Sequence, residues 1–397
     1  MFRLSDNVLR IQESATMAIS SRAKAMKQAG EDVVAMAAGE PDFDTPEHIV
    51  AAAREALDSG FTRYTPSSGI PELREAWARQ IGQQRGITYD PNQIIVTAGG
   101  KQAVFNIIYA LVDAGDEVII PSPYWVSYPE QVRAVGAVPV IIETKAEQDF
   151  KINPQALRDA VTDHTRLLIL NSPSNPTGSV YLRDELAALA EVLVERQVPV
   201  LSDEVYDALT YGVEFSSIAS LGEDICNLTT VVGAVSKTYA MTGWRIGYAA
   251  GPVDVIAAAG RLQSHSTSNA NSVAQKAALA AVTGDQSSVE VMRQEFDRRR
   301  KTMIQRLQSM PGISCPVPQG AFYAFPRIAA TYDRQYNGQL VDGSLTFCRL
   351  LLEHEKVAAV PGIAFGDDAH MRLSYATSMA QIEEALIRLE RFLSHLE

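Results

Sequence analysis

The amino-acid sequence predicts an α/β protein in which a mainly parallel, seven-stranded sheet flanked by helices is joined to a smaller α+β domain. Seven short runs rich in β-branched residues occur between residues 93 and 250, and helix-period segments follow most of them. Such alternation favours a parallel sheet that is covered by helices on both faces. After about residue 285 the alternation gives way to a long charged helix and scattered strand signals, which indicate the second domain.

The boundaries of the elements follow from these patterns. The strands of the large sheet are predicted at residues 93–97, 117–121, 138–142, 167–171, 198–202, 229–235 and 246–250. Helices are predicted at residues 101–112, 124–135, 183–196 and 253–263. In the second domain, a polar helix over residues 291–310 precedes strands at 320–325, 357–360 and 371–374 and a closing amphipathic helix at 381–396. The predicted organisation is an N-terminal arm with part of the small domain (1–45), a large cofactor-binding domain (46–285) and a C-terminal small domain (286–397).

Composition narrows the class of protein. The chain has 397 residues, of which 46% are hydrophobic and 21% charged, as in ordinary globular proteins with room for two domains. With a formal net charge of −12 and one basic run, at residues 298–301 in a helical stretch, a nucleic-acid partner is not expected. The three cysteines lack metal-ligand spacing, so no metal site is predicted and reduced thiols are expected. No apolar run near residue 1 has signal-peptide or membrane-spanning length, which predicts a cytoplasmic protein without a membrane partner.

The most informative segment is residues 234–247, Ala-Val-Ser-Lys-Thr-Tyr-Ala-Met-Thr-Gly-Trp-Arg-Ile-Gly. Lys237 lies between a β-type run and a glycine-bounded turn. A partly desolvated amine can lose its proton well below its ordinary pKa of about 10.4 and attack a carbonyl. The hydroxyl of Ser236 and the guanidinium of Arg245 suit a phosphate dianion. An amine beside a phosphate site predicts pyridoxal 5′-phosphate chemistry, whereas the plain alternative is a surface lysine in a loop.

A second turn, Val-Thr-Ala-Gly-Gly-Lys-Gln at residues 96–102, joins a strand to a helix. Gly99 and Gly100 would leave backbone N–H groups free at the helix N-terminus, where a phosphate binds well. Taken alone, this motif is explained about as well by a plain turn as by a phosphate site. Together with Ser236 and Arg245 of the segment 234–247, it favours a phosphate site. Lys101 is electrostatically misplaced at a helix N-terminus, and this indicates a functional role.

These motifs resemble those of class I and II aminotransferases, which are fold-type-I pyridoxal-phosphate enzymes. The resemblance extends from about residue 5 to the C-terminus, and the most similar group is the lysine-using bacterial aspartate aminotransferases, some of which also transaminate prephenate. Ala234 departs from the pattern, which usually has Gly or Ser there. The matching segments are AGEPDFDTP, YTPSSGIPELREA, GGKQAVFN, PYWVSYPE, NSPSNPTG, SDEVY, SKTYAMTGWRIGYAAGP, GAFY and RLSYATS.

The resemblance implies roles around the cofactor. Lys237 would bond to its aldehyde, Asp203 would pair with the protonated pyridine nitrogen and Tyr206 would donate to the ring hydroxyl. A carboxylate that closes a buried strand, as Asp203 does, is costly without such a cation, although it could instead cap the next helix. Asn175, in a loop with two X-Pro bonds that favour a rigid turn, would bond the ring oxygen. Trp125 would cover the pyridine face; core packing is the common alternative for a tryptophan.

The resemblance also implies how substrate is held. Arg372 would bind the α-carboxylate, the backbone of Gly39 would donate to it and Lys101 would bind the distal carboxylate of a dicarboxylic substrate. Asn175 and Trp125 would contact substrate as well as cofactor. Thr16 is a small hydroxyl residue of the kind associated with prephenate use. Tyr64 matches a tyrosine that reaches the phosphate of a neighbouring subunit, which implies a homodimer.

The predicted function is ping-pong amino transfer between aspartate or glutamate and a 2-oxo dicarboxylic acid. Prephenate use stays open, because Gln12 stands where some prephenate-active members have a lysine. Three alternatives remain: an aminotransferase of aromatic or alanine specificity, a carbon–sulfur β-lyase on the same scaffold, and a non-catalytic regulator. The regulator class carries an added basic DNA-binding helix pair, which this sequence lacks.

Overall fold

A computed structural model describes residues 2–12 and 15–397, apart from the side chains of Asn7, residues 15–18 and Ser20. It confirms the predicted α/β class with a mostly parallel sheet of seven strands. The α-helices are α1 Asp6–Leu9, α2 Ala15–Gln28, α3 Glu47–Asp58, α4 Pro71–Arg85, α5 Gly100–Leu111, α6 Ser127–Ala134, α7 Pro154–Ala160, α8 Arg183–Arg196, α9 Glu223–Leu228, α10 Val235–Thr238, α11 Val253–Ser266, α12 Ser272–Thr283, α13 Ser287–Ser309, α14 Ser344–Glu355 and α15 Met379–Ser394. The strands are β1 Val34–Ala35, β2 Ile94–Thr97, β3 Glu117–Ser122, β4 Val138–Glu143, β5 Thr165–Asn171, β6 Val200–Asp203, β7 Thr229–Ala234, β8 Gly247–Ala250, β9 Tyr323–Ala324, β10 Gln335–Tyr336, β11 Gln339–Leu340, β12 Val357–Ala358, β13 Val360–Pro361 and β14 Met371–Ser374.

The large sheet has the strand order β2-β8-β7-β6-β5-β3-β4. All neighbouring pairs are parallel except those of β8, which runs antiparallel to both β2 and β7. Because β8 is reversed, its first residue lies at the edge where the other strands end. Residues just before β8 therefore share that edge with residues just after β2, β3, β5, β6 and β7.

Helices cover both faces of this sheet, as the alternation of side chains along β5 shows. Leu167 and Ile169 point to the face where Val104 of α5 packs. Leu168 and Leu170 point to the opposite face and pack with Leu186 of α8. Burial on both faces explains why these strands appear in the sequence as nearly continuous apolar runs.

The C-terminal part builds smaller sheets. β13, β14 and β9 form an antiparallel sheet, β10 pairs with β11, and β1 from the N-terminal segment pairs with β12. The pairing of β1 with β12 joins the N-terminal segment to the C-terminal part of the chain. The division at 1–45, 46–285 and 286–397 stays a prediction.

The strands of the large sheet begin and end within two residues of the predicted bounds, whereas two predicted strands of the C-terminal part differ more, for local reasons. The strand predicted at 320–325 is confined to β9, because Ala321 has a positive φ of 56° that interrupts extended backbone. The strand predicted at 357–360 divides into β12 and β13, which pair with different partners, β1 and β14. Among the helices of the described residues, none combines the length and the apolar character that crossing a membrane requires.

Candidate active site

A cavity of about 650 Å³ lies at the edge of the large sheet where the parallel strands end. Residues 35–40, the strand β14 and Tyr323 close its other side. Of the fourteen residues that the sequence singled out, eleven line this cavity. They are Gly39, Gly100, Lys101, Trp125, Asn175, Asp203, Tyr206, Ser236, Lys237, Arg245 and Arg372.

Lys237 lies on α10, the one-turn helix that directly follows β7. Its Nζ donates to the carbonyl oxygen of Gly39 at 2.6 Å, so the N-terminal segment lies against the amine. Desolvation lowers the pKa of Lys237 to about 8; Glu40 opposes the shift, and Arg245 and Arg372 add to it. A substantial fraction of this amine is therefore neutral near pH 8, the state that a nucleophile or a general base requires.

This lowered pKa predicts how Lys237 reacts in cofactor-free protein. Acylation of Lys237 by an amine-specific reagent should accelerate as pH rises and level off above a midpoint near 8, because only the deprotonated amine reacts. Peptide-resolved mass spectrometry measures the rate at each pH, with the exposed Lys301 as the internal comparison. A pH profile for Lys237 that coincides with that of Lys301 would contradict the lowered pKa.

Asp203 ends β6 and is only 6% exposed. The hydroxyl of Tyr128 donates to its Oδ2 at 2.6 Å, and the backbone N–H of Val205 donates to Oδ1 at 3.3 Å. Burial raises the pKa of Asp203, while these two hydrogen bonds act in the opposite direction. Within residues 2–12 and 15–397, no Lys, Arg or His forms an ion pair with Asp203 at 4 Å or less. A buried carboxylate in this situation favours a cation inside the cavity.

The opposite end of the cavity has the character of an anion site. Helix α5 begins at Gly100 without a side-chain cap, so its first N–H groups are available as donors. Gly99 has a φ of 84°, and a Cβ added there would lie 2.5 Å from Nη2 of Arg245. Only glycine therefore lets the guanidinium approach this turn so closely. Gly99 does not itself line the cavity, but it is in contact with Arg245, which does.

Arg245 lies two residues before the start of β8, and its backbone is left-handed, with a φ of 56°. Its Nη1 donates to the carbonyl of Thr242 at 3.0 Å. In the described part of the chain, no carboxylate lies within ion-pair distance of Arg245. The buried hydroxyl group of Ser236 lines the same cavity. A guanidinium without a carboxylate partner among the described residues, a hydroxyl and helix N–H groups together suit a phosphate group.

Arg372, on β14, is buried and has no carboxylate partner among the described residues. Its Nη1 donates to Oδ1 of Asn175 and its Nη2 to the carbonyl of Ala37, each at 2.9 Å, while its Nε is buried without an acceptor. The guanidinium carbon lies 4.4 Å from the centroid of the Tyr323 ring. Desolvation lowers the pKa of Arg372 below its ordinary value. A desolvated guanidinium with a spare donor is suited to a carboxylate.

Asn175 is held in place by its loop. The two X-Pro bonds of this loop, Ser172–Pro173 and Asn175–Pro176, are both cis. The backbone N–H of Asn175 donates to Oδ1 of Asn171 at 2.9 Å, and its side-chain oxygen accepts from Arg372. The loop that follows β5 is thereby connected to β14.

Lys101 and Trp125 lie together at the mouth of the cavity. The Nζ of Lys101 is 4.9 Å from the centroid of the Trp125 ring, within the range of a cation–π contact. Partial desolvation lowers the pKa of Lys101, and the charge of Arg245 lowers it further. Trp125 also packs edge-on against Tyr128, with ring centroids 5.2 Å apart.

Three of the roles that the sequence led us to expect stay predictions. Tyr64 is 91% exposed and does not line the cavity, so its role stays a prediction that depends on a second subunit. Gly39 lines the cavity, but it contacts Lys237 through its carbonyl oxygen, and its N–H as a donor to substrate stays a prediction. The side chain of Thr16 lies outside the described residues.

The sequence did not single out several residues that the structure brings to the cavity. Tyr128 and Tyr323 supply buried hydroxyl groups, Glu40 accepts from Oγ1 of Thr242 at 2.8 Å, and Lys24 and Lys27 of α2 line the opening. Tyr128 and Tyr323 occur in the motifs PYWVSYPE and GAFY, which was the only signal available. Contacts with residues far away in the sequence could not be inferred from those motifs alone.

Known proteins resemble this chain over its full length. An aspartate aminotransferase of Geobacillus stearothermophilus is 48% identical over 392 residues, which cover 98% of this chain and 99% of that protein. An aspartate/prephenate aminotransferase of Cereibacter sphaeroides is 44% identical over 396 residues and 99% of both chains. The crystal structure of the aspartate aminotransferase from Rhizobium meliloti superposes with a TM-score of 0.97 at 40% identity and covers both chains completely.

The family described as "Aminotransferase class I and II" matches residues 31–389, a span that includes most of the cavity. Identity above 40% over nearly the whole length is consistent with that match. Fold, sequence and family profile agree with the resemblance inferred from the motifs. The chain belongs to the class I and II aminotransferases.

Proposed function

We propose that this protein is a pyridoxal-phosphate-dependent aspartate aminotransferase, which moves an amino group between aspartate or glutamate and a 2-oxo dicarboxylic acid. The observation that carries the proposal is a single arrangement of charge. One cavity holds the amine of Lys237 together with a buried carboxylate, Asp203, and two guanidinium groups, Arg245 and Arg372, that have no carboxylate partners among the described residues.

The residues present fit pyridoxal 5′-phosphate. Its phosphate suits the uncapped start of α5 with Ser236 and Arg245, where the close contact between Gly99 and the guanidinium forms a cradle that a Cβ would fill. Its protonated ring nitrogen would balance the buried charge of Asp203. Tyr206 and Asn175 would hold the ring oxygen, Trp125 would cover the ring face and Lys237 would bond to the aldehyde carbon. When bound, the cofactor supplies an electron sink for the carbon that loses its proton.

Lys237 is the group that moves the proton in this proposal. With a pKa of about 8, its Nζ can accept a proton from the substrate Cα and return it within the same site. Desolvation keeps the pKa of this amine low, and the carbonyl oxygen of Gly39 orients it by accepting a hydrogen bond from Nζ. Arg372 would fix the α-carboxylate and thereby determine which hydrogen on Cα faces Lys237.

The preference for dicarboxylic substrates is proposed to come from a second cation. Lys101 lies at the mouth of the cavity and has no carboxylate partner within the described ranges. A substrate held by Arg372 through one carboxylate could present the other to Lys101. The names of the relatives from G. stearothermophilus and R. meliloti, both aspartate aminotransferases, support this choice of substrate.

Replacement of Lys101 by alanine should reduce kcat/KM for aspartate and glutamate by roughly 10- to 100-fold, because one charge-assisted hydrogen bond is lost. The same change should have little effect on alanine or phenylalanine, which have no distal carboxylate. Steady-state kinetics with both substrate classes measure the ratio, and Lys301→Ala, which removes an equal charge from α13, is the control. Equal losses for the two classes would exclude the distal-carboxylate role.

Prephenate is a second candidate amino acceptor, since the relative from C. sphaeroides is named an aspartate/prephenate aminotransferase. Gln12, where a lysine stands in some prephenate-active members, donates its backbone N–H to Oε2 of Glu130 at 2.8 Å. It lines a smaller cavity beside Lys101. Because the backbone of Gln12 makes this contact, it does not favour prephenate or a 2-oxo dicarboxylic acid as the acceptor, and the experiment below compares the two.

The deciding experiment supplies the purified protein with pyridoxal phosphate and a panel of amino donors and 2-oxo acceptors. The expected result is rapid transfer from aspartate or glutamate to 2-oxoglutarate or oxaloacetate, with prephenate as an additional acceptor in the panel. Efficient transfer only with aromatic donors or alanine would replace the aspartate assignment. Release of pyruvate and ammonia from cysteine conjugates without any 2-oxo acid would instead indicate a β-lyase.

We further propose that the protein acts as a homodimer. Tyr64 lies outside the cavity of its own chain and is 91% exposed, as expected of a side chain that contributes to the site of a second copy. Amino acids and 2-oxo acids are its proposed small-molecule partners.

A further inference from the structure

Tyr323 occupies a position where three parts of the candidate active site meet. It is on β9, which pairs with β14 so that Tyr323 lies opposite Ser374, two residues after Arg372. Its side chain is 1% exposed and lines the cavity. Its hydroxyl oxygen lies 2.9 Å from that of Tyr206, which comes from the loop after β6. One phenol therefore connects the small sheet to a residue of the large sheet's edge.

Tyr323 lies close to two further parts of the site. The guanidinium carbon of Arg372 lies 4.4 Å from its centroid, within cation–π range. A Cβ added to Gly39 would lie 3.5 Å from the Tyr323 hydroxyl oxygen, so the N-terminal segment passes close to the same group. The hydroxyl nevertheless has one hydrogen-bond partner among the described side chains, the Tyr206 hydroxyl.

We propose that Tyr323 is a positioning residue that donates its hydroxyl hydrogen to Tyr206 and so directs the hydrogen of Tyr206 into the cavity, toward an anionic oxygen of the bound ligand. Each phenol has a single hydrogen to donate. If Tyr206 donated to Tyr323, it would have none for the cavity. The proposal rests on the proposed function, in which that oxygen is the ring oxygen of pyridoxal phosphate.

The order of donation follows from the strength of the two bonds. A hydrogen bond from Tyr206 to an anionic oxygen is stronger than one to a neutral phenol, so an anion in the cavity selects the order Tyr323, Tyr206, ligand. A donor that itself accepts a hydrogen bond is polarised and becomes a better donor. Burial raises the pKa of both phenols, which therefore stay neutral and keep their hydrogens. The charge of Arg372 lowers the pKa of both phenols and so opposes this effect of burial, whereas the charge of Asp203 raises the pKa of Tyr206 further.

The test is Tyr323→Phe, which removes the hydroxyl and keeps the ring beneath Arg372. The protein is loaded with pyridoxal phosphate, and its visible absorption is recorded from pH 5 to 10. We expect the midpoint of the spectral titration to rise by about 0.5 pH unit, because a weaker donor stabilises the anionic oxygen less. Equilibrium dialysis of pyridoxal phosphate gives an independent readout, with an expected loss of affinity of about threefold.

A double-mutant cycle separates positioning from a general structural effect. In a Tyr206→Phe background, Tyr323→Phe should cause no further shift, since the group through which it acts is absent. Tyr375→Phe is the matched control: it deletes another buried phenol hydroxyl, one that donates to the carbonyl of Ala321 at 3.3 Å and does not line the cavity. Its titration should coincide with that of the unaltered protein.

An unchanged midpoint in Tyr323→Phe, or a shift that persists fully in the Tyr206→Phe background, would overturn the proposal. If the phenylalanine variant fails to fold, 4-fluorophenylalanine incorporated at position 323 provides the same comparison, because it keeps the ring and fills the space of the hydroxyl but has no hydrogen to donate. Failure of the unaltered protein to take up pyridoxal phosphate would contradict the proposed function instead, so the two failures are distinguishable.

Discussion

Replacement of Lys237 by alanine is expected to reduce amino transfer by a factor on the order of 10⁴ or more, because in the proposed mechanism one nitrogen serves both as nucleophile and as proton carrier. The cofactor-loaded variant should also lose the visible absorption band that depends on a bond to this amine. Borohydride reduction followed by peptide mass spectrometry should mark Lys237 in the unaltered protein and leave the variant unmarked.

Two controls separate the chemistry of this amine from its charge. Lys237→Arg keeps a positive charge beside Glu40, but a guanidinium does not deprotonate in this pH range, so the variant should be as inactive as Lys237→Ala. Lys301→Ala removes a lysine from the exposed surface of α13 and should retain full activity. A coloured, fully active Lys237→Ala protein would end the assignment.

Replacement of Asp203 by asparagine is expected to lower kcat by about 10³-fold, because the buried charge that would keep the ring nitrogen protonated is removed. Asparagine has nearly the same shape, but Tyr128 and Val205 donate to different oxygens of Asp203, and the single amide oxygen can keep only one of these hydrogen bonds. The change therefore removes the charge together with one hydrogen bond. Single-turnover reaction with aspartate measures the chemical step, and circular dichroism checks that the fold is retained.

Tyr128→Phe offers a graded comparison for this prediction. It removes the 2.6 Å hydrogen bond to Asp203 but leaves the carboxylate in place, so a loss of about tenfold is expected. If Asp203→Asn retained activity within a factor of ten, the carboxylate would have no electrostatic role in the reaction. If kcat fell more in Tyr128→Phe than in Asp203→Asn, an electrostatic role of the Asp203 carboxylate would likewise be contradicted.

The sequence was sufficient to predict the strands of the large sheet and most of the cavity. Residues such as Asp203 and Lys237 directly follow apolar runs, and parallel strands bring their carboxyl ends to one edge. The strand pattern therefore accounts for the common location of Asp203 and Lys237, whereas Asn175, Trp125, Gly39 and Arg372 were assigned to the site through the family resemblance.

Other features depend on contacts that no local pattern contains. Tyr128 meets Asp203 across 75 positions of the chain, and Arg372 meets Asn175 across 197. The direction of β8 was also not predicted, because an apolar strand has the same periodicity in a parallel and in an antiparallel pair. The role of Tyr64 depends on a second molecule, so one chain alone could not test it.

The reversed direction of β8 has a consequence for redesign of this scaffold. Since β7 and β8 are antiparallel neighbours, the amine of Lys237 and the guanidinium of Arg245 belong to one hairpin connection, residues 235–246. This connection has to be transplanted whole, because a single inserted residue would change the spacing between its two cationic groups.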